Sequence, residues 1–385
     1  MVGEPPPSAS ADEIEEELEE EGGEILGGRL DRKHLIWGAI FVVVVVVFLY
    51  VGLPRLAGLD DTWDRIQSGS PAWLAACLLF EVISFGGYVW LFRGVFVRGS
   101  DRIGWAASYQ ITMAGLLATR LFSAAGAGGA ALTIWALRRS GMRTRTVATR
   151  MVAQYVILYG IYMVSVIVCG LGLYFGIFPG GGDFAITMVP AIIGAILIGG
   201  ALAMSLIPDQ IDRRVARWMK GSGRSARIAT RLAALPDAVA AGVREAITIV
   251  RERDGAVLGA AIWWYFDIFT LWAAFHAFGD APPFSVIVMA YFIGMVANLL
   301  PLPGGIGGVD GGLIGAFIAL GVEGSLAIVA VLTYRAFAFW LPTIPGVIAY
   351  FQLRRTVARW RDEGRDRPQV GEAPVAAKAT LRYTK

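Results

Sequence analysis

Six apolar runs in this sequence are long enough to cross a lipid bilayer as helices, a task that takes roughly 20 residues. They occupy residues 35–53, 73–96, 147–175, 184–207, 257–278 and 326–351. Hydrocarbon offers no partner for backbone N–H and C=O groups, so runs of this kind must satisfy them internally as helices. With 56% hydrophobic residues against 17% charged, a soluble globular class is excluded. The expectation is an all-α polytopic membrane protein. The first apolar run follows a long polar tail and lacks a small-residue cleavage pattern, so no cleavable leader is expected. That tail contains a nearly continuous acidic block from Asp12 to Glu21, of a kind that stays solvated.

Two further apolar stretches, 105–137 and 286–322, are broken in the middle. The first breaks at Ser123-Ala-Ala-Gly-Ala-Gly-Gly129 and the second at Pro301-Leu-Pro-Gly-Gly-Ile-Gly-Gly-Val-Asp-Gly-Gly312. Glycine and proline at this density cannot continue a helix, so each stretch should turn at membrane depth.

Charge decides how these stretches run. Arg29, Arg32 and Lys33 precede the first span and place the N-terminus inside, whereas Asp60, Asp61 and Asp64 mark an outer loop. Arg93, Arg98 and Arg102 lie before the first broken stretch, and Arg138, Arg139, Arg143, Arg145 and Arg150 after it. That stretch therefore enters and leaves on the cytoplasmic side. Residues 208–254 carry ten arginines and lysines from Arg213 to Arg253 and lie inside, whereas only Asp280 and Glu323 flank the second broken stretch. It is expected to re-enter from outside. Arg354, Arg355, Arg359 and Arg361 return the C-terminus to the cytoplasm. The expected chain has about six full spans and two oppositely oriented re-entrant hairpins. Span–hairpin–span occurs at 73–175 and again, inverted, at 257–351. Identity between the halves is faint: a shift of 180 positions superposes Gly128 on Gly308, Ile134 on Ile314, Ala136 on Ala316 and Gly141 on Gly321. Inverted repeats with broken helices at the midplane recur in transporters. The expected division is a cytoplasmic tail at 1–34, a membrane domain at 35–353 containing the basic segment 208–254, and a cytoplasmic tail at 354–385. The basic segment reads as one or two amphipathic helices on an anionic leaflet, with Trp218, Ile228 and Leu232 on the apolar face, or as a topology-setting loop.

Five ionisable residues fall at membrane depth: Glu81, Arg120, Asp267, Asp310 and Arg335. Each costs about 2.5–3.5 kcal/mol at a helix centre, so pairing or a wet cavity is expected. Arg120 and Arg335 would grip an anionic group, phosphate above all, because the guanidinium fork stays charged and matches its oxygens. Glu81, Asp267 and Asp310 would neutralise them in an empty cavity or take a cationic substituent. Backbone N–H groups freed at Gly304, Gly305, Gly307 and Gly308 would add anion donors. The competing readings are buried ion pairs that only fix helix register, and glycines that only allow close crossing. A nucleotide loop is excluded, since no strand precedes the glycines and no lysine follows them. Cys77 and Cys169 read as small hydrophobes, and His34 and His276 are too few for a metal site. No metal and no cofactor is expected.

The run from Pro301 through Asp310 to Gly311, followed by Arg335, Trp340, Pro342 and Gly346, resembles the flippase-like membrane domain of lysylphosphatidylglycerol synthases and their stand-alone relatives. Arg120 through Gly129 to Arg139 and Gly141 is similar to that family's first hairpin. Asp310 stands where the family commonly has glutamate, and Ala130 where the hairpin often carries an acid, a departure that bears on substrate charge. No aminoacyl-transferase domain follows the last span, so synthase activity is not expected. The resemblance implies lipid translocation: a flippase-like transporter moving a phospholipid or lipid-linked headgroup through a central polar cavity. The partners are then lipid and membrane, with no nucleic acid, and the location is the plasma membrane with both termini cytoplasmic. The alternatives are a non-transporting scaffold or accessory subunit of envelope lipid synthesis, and an intramembrane enzyme acting on a lipid-linked substrate. The enzyme would need a nucleophile or metal cluster that the sequence does not offer.

Overall fold

A computed structural model describes residues 69–98, 103–121, 127–205, 239–299, 305 and 307–364. The regular elements among them are all helical. In chain order they are α1 (Pro71–Phe96), α2 (Trp105–Leu121), α3 (Ala127–Arg139), α4 (Thr144–Tyr174) and α5 (Phe184–Ser205), then α6, whose described part is 239–251. The second half holds α7 (Gly255–Phe278), α8 (Phe284–Met295, tightening into a 3₁₀ turn at Val296–Leu299), α9 (Gly308–Ala319), α10 (Gly324–Arg335) and α11 (Thr343–Asp362). A π-turn at Ala336–Trp340 joins α10 to α11.

Among the described residues, five stretches are long and apolar enough to cross a membrane: α1, α4, α5, α7, and α10 with α11 taken as one rod from Gly324 to Asp362. Five of the six expected spans are thus helices, and the chain is a polytopic all-α membrane protein. The sixth, 35–53, lies outside the described residues. The arms of the broken stretches are short, 17 and 13 residues for α2 and α3 and 12 each for α8 and α9. At 1.5 Å per residue a 12-residue arm covers about 18 Å, short of a hydrocarbon core of about 30 Å.

Helices α1 and α7, which follow an outer and a cytoplasmic loop respectively in the charge reading, pack antiparallel along their whole length. From one end to the other, Gly94 meets Ala256, Gly87 meets Gly259, the Ser84 hydroxyl donates to Trp263 O at 2.8 Å, and Trp73 stacks on His276. A Cβ on Gly259 would sit 2.6 Å from Leu91 N and 2.7 Å from Gly87 O, so only glycine allows this approach. Lipid gives helices no hydrophobic drive to associate, and small residues at the crossing supply close packing instead.

The remaining contacts are reciprocal between the halves. Helix α2 packs against α11, and α8 against α4, so each broken stretch leans on the final span of the other half. Gly115 and Gly129 bring α2 and α3 together, and Gly294 and Gly312 do the same for α8 and α9. Helix α5 rests on α4 through Thr187, Ala191 and Gly194 and exposes Ile192, Ile193, Ile196, Leu197 and Leu202, the pattern of a lipid-facing helix. Helix α6 lies within the basic segment and buries Val243, Ala246 and Ile249, with Gly242 against Val152 of α4. Trp218, Ile228 and Leu232 lie outside the described residues. At the end assigned to the cytoplasm, Arg150 Nη1 donates to Phe96 O at 2.8 Å, satisfying a terminal carbonyl of α1. Helix α11 continues through Arg354, Arg355, Arg359 and Arg361 to Asp362, so the division at 353 falls inside a helix.

Candidate substrate site in the membrane core

The site begins with the second glycine break. Gly305 and Gly307 have φ of 65° and 78°, left-handed values that favour glycine, and the chain then enters α9. Asp310 is the third residue of that helix. Its Oδ2 accepts the Gly307 N–H at 2.8 Å, a carboxylate placed where the helix start has unpaired donors. Its Oδ1 lies 2.8 Å from Arg335 Nε. Asp310 is 6% exposed and Arg335 7% exposed, so this ion pair is buried. It links the second broken stretch to α10.

Arg335 closes α10, and the π-turn begins immediately after it. Pro342 is the cause of that turn. It has no N–H to return to Ala338 O one turn earlier, and its ring crowds the preceding backbone. The ladder slips to a Leu341 N–H bond to Ala336 O at 2.9 Å. Arg120, at the end of α2, supplies donors in place of the missing one: Nη2 to Ala338 O at 2.9 Å and Nη1 to Phe339 O at 2.7 Å. The two guanidinium groups share the Phe339 ring, Arg335 at 4.3 Å and Arg120 at 4.9 Å from its centroid. An aromatic face attracts such cations.

Glu81 of α1 and Asp267 of α7 face each other across the tight glycine crossing, 2% and 6% exposed. Asp267 Oδ2 accepts from Tyr334 Oη at 2.8 Å and from Tyr291 Oη. Thr270, one turn beyond Asp267, donates to Glu81 Oε2 at 3.1 Å. Tyr334 neighbours Arg335 in the chain, so the carboxyl pair adjoins the arginine pair.

The structure therefore draws all five sequence-selected ionisable residues into one connected set, contributed by α1, α2, α7, α9 and α10. Of the four glycines named with them, Gly305 is buried, Gly307 donates to Asp310, Gly308 opens α9, and Gly304 lies outside the described residues. The Gly307 N–H is thus met by a carboxylate of the chain itself. Sequence reasoning missed Thr270, Tyr291, Tyr334 and Phe339. Two of these carried a signal: Thr270 sits one helical turn from Asp267, and Tyr334 is adjacent to Arg335.

Residues 35–346 match the family described as the lysylphosphatidylglycerol synthase TM region, a span that contains all five ionisable residues and both glycine breaks. A UPF0104 membrane protein of Methanothermobacter thermautotrophicus is 22% identical over 81% of this chain and 94% of its own length. A further match to a UPF0104 membrane protein of the same organism is 28% identical over 46% of this chain and 58% of the relative. One from Pyrococcus horikoshii is 29% identical over 27% of this chain and 32% of the relative. With four-fifths of its length matched by one description, this chain belongs to the lysylphosphatidylglycerol synthase TM-region family.

Proposed function

We propose that the protein is a flippase-like transporter that passes a phospholipid or lipid-linked headgroup between leaflets through its charged core. The observation that carries this reading is the buried Arg335–Asp310 pair, set where the second broken stretch meets α10 and beside a second arginine on the same aromatic ring. A phosphate presents the oxygens that Arg335 now finds in Asp310 and that Arg120 finds in two backbone carbonyls, so it competes for donors already aimed inward. Arg120, Arg335, Asp310, Glu81 and Asp267 bind the headgroup or balance its charge, with Gly304, Gly305, Gly307 and Gly308 lining the approach.

The reciprocal packing of α2 on α11 and α8 on α4 supports an inverted repeat, in which rocking of one half against the other exchanges access. The plasma membrane with both termini cytoplasmic is the orientation the arginine distribution favours. In this reading the chain is a carrier that makes and breaks no bond in its lipid.

The test is reconstitution into liposomes with fluorescent phosphatidylglycerol and a membrane-impermeant quencher. Wild type should equilibrate the label between leaflets, and Arg335→Ala should lose at least tenfold in rate. Equal, background-level movement by both would overturn the transporter reading.

A further inference from the structure

Once the arginines are assigned, Glu81 and Asp267 are left facing each other. Asp310 is committed to Arg335 and the Gly307 N–H, and Arg120 to the carbonyls of Ala338 and Phe339. Thr270 Oγ1 stands 3.1 Å from Glu81 Oε2 and 3.1 Å from Phe266 O, and its single hydrogen serves one of them at a time. Glu81 Oε1 is fully buried and has no donor among the described residues. Thr270, which holds Glu81 Oε2, stands one turn from Asp267 on α7, and this sets a second carboxyl beside Glu81 across the α1–α7 crossing. Two carboxylates offer each other only lone pairs, so their contact holds only when a proton lies between them.

Charge counting leads to the same place. The set contains two guanidinium groups and three carboxyl groups, and an unbalanced charge in a low-dielectric interior is costly. One proton on the Glu81–Asp267 pair makes the empty core neutral. The groups facing the pair are Cys77 from α1, whose Sγ donates to Thr270 O, Arg120 from α2, Thr270 from α7, Tyr291 from α8, and Tyr334 and Arg335 from α10. Asp310 of α9 acts on it through Arg335. The three hydroxyls among them present hydrogens to the carboxyls. A hard metal cation needs a cage of oxygen lone pairs, and among the described residues no three His, Cys, Asp or Glu side chains converge as one.

We infer that Glu81 and Asp267 form a proton-binding site, which holds one shared proton in the empty core and takes up a second when an anionic headgroup engages the arginines. The exchange rests on the headgroup reading above. An anion adds one negative charge to a neutral core, and the second proton cancels it. The uptake forms one carboxyl O–H bond and breaks one in hydronium or a buffer acid, and no other bond changes. Anion and proton then move together.

The test uses the full-length protein in detergent. Infrared difference spectra at neutral pH should show the C=O stretch of a protonated carboxyl group in wild type, lost in both Glu81→Gln and Asp267→Asn. These variants keep side-chain shape, and monodisperse elution confirms that they fold. In weakly buffered solution with a pH-indicating dye, dioleoylphosphatidylglycerol should draw up about one proton per protein in wild type and none in the double variant Glu81→Gln/Asp267→Asn, which keeps no carboxyl at the site. Dioleoylphosphatidylcholine, a zwitterion, should draw up none in either. Retained lipid is measured on the same samples by phosphorus content. Absence of the carboxyl band in wild type, or its persistence in both variants, overturns the proton site whether or not lipid moves. Phosphatidylglycerol retained without proton uptake overturns the exchange and leaves the headgroup reading standing. No retention at all refutes the headgroup reading, and the exchange with it.

Discussion

Removing the Arg335–Asp310 pair one partner at a time and then together separates architecture from transport. In Arg335→Leu, Asp310 keeps only its bond to the Gly307 N–H, 2.8 Å long, and remains as an uncompensated buried charge. In Asp310→Asn, Arg335 keeps the Phe339 face, 4.3 Å away, but no carboxylate at Nε. Truncating one member of a buried pair costs about 3–5 kcal/mol, most of it from the stranded partner. The double variant leaves neither member of the pair behind as a lone charge. It should lose only the stacking on Phe339 and some packing, about 1–2 kcal/mol. The cycle should therefore show a coupling of about 3 kcal/mol or more. Unfolding in mixed micelles, followed by fluorescence of the 12 tryptophans, measures it. Lipid movement is assayed on the same three variants. If the arginine exists to meet a headgroup, the double variant regains stability and stays inactive. Recovery of wild-type transport in the double variant would refute the reasoning and leave the pair as a device for helix register. A coupling near zero would show that the pair does not form.

The packing and the topology set three further outcomes. Gly259→Ala sets a Cβ 2.6 Å from backbone at Leu91, which no rotamer relieves, and should destabilise by about 1–3 kcal/mol in the same unfolding assay, whereas Gly86→Ala meets nothing within 4 Å and should stay within about 0.5 kcal/mol of wild type. Arg120→Leu removes both guanidinium donors and strands Ala338 O, whereas Phe339 O keeps the Thr343 hydroxyl at 2.9 Å; a loss of about 1–3 kcal/mol and faster amide exchange across 336–341 are expected. With Cys77 and Cys169 replaced by alanine, Ser123→Cys should react with an impermeant thiol reagent only from the cytoplasmic face and Gly308→Cys only from outside; labelling of both from one face would contradict hairpins of opposite orientation.

The spans were legible because hydropathy depends on composition over a whole turn-by-turn window, and five expected runs became helices with their ends displaced by a few residues, except at the end of α11. The displacements have local causes. Asp254 caps α7, its side chain accepting from the Ala256 N–H at 3.0 Å, a signal that hydropathy does not register. Helix α11 outlasts its apolar stretch because a helix does not stop where the bilayer does, and its arginines continue it to Asp362. The five ionisable residues were legible for the opposite reason: charge in hydrocarbon is expensive enough to mark itself. Their partners were not. Equal attraction between any arginine and any acid leaves pairing undetermined until the helices are placed. The structure gives Arg335 to Asp310, turns Arg120 onto backbone carbonyls, and sets Glu81 against Asp267. The π-turn was half legible. Pro342 announces a missing donor for Ala338 O, but only three-dimensional placement shows that a side chain from α2 replaces it.

The central claim is that the charged core exists to receive a polar headgroup, and the most direct measurement is the structure of the protein in nanodiscs of phosphatidylglycerol. A lipid phosphate should lie within hydrogen-bonding distance of Arg335 or Arg120, with the Arg335–Asp310 contact lengthened to admit it. Headgroups found only at the rim of the helix bundle, with that ion pair closed under saturating lipid, would contradict the claim.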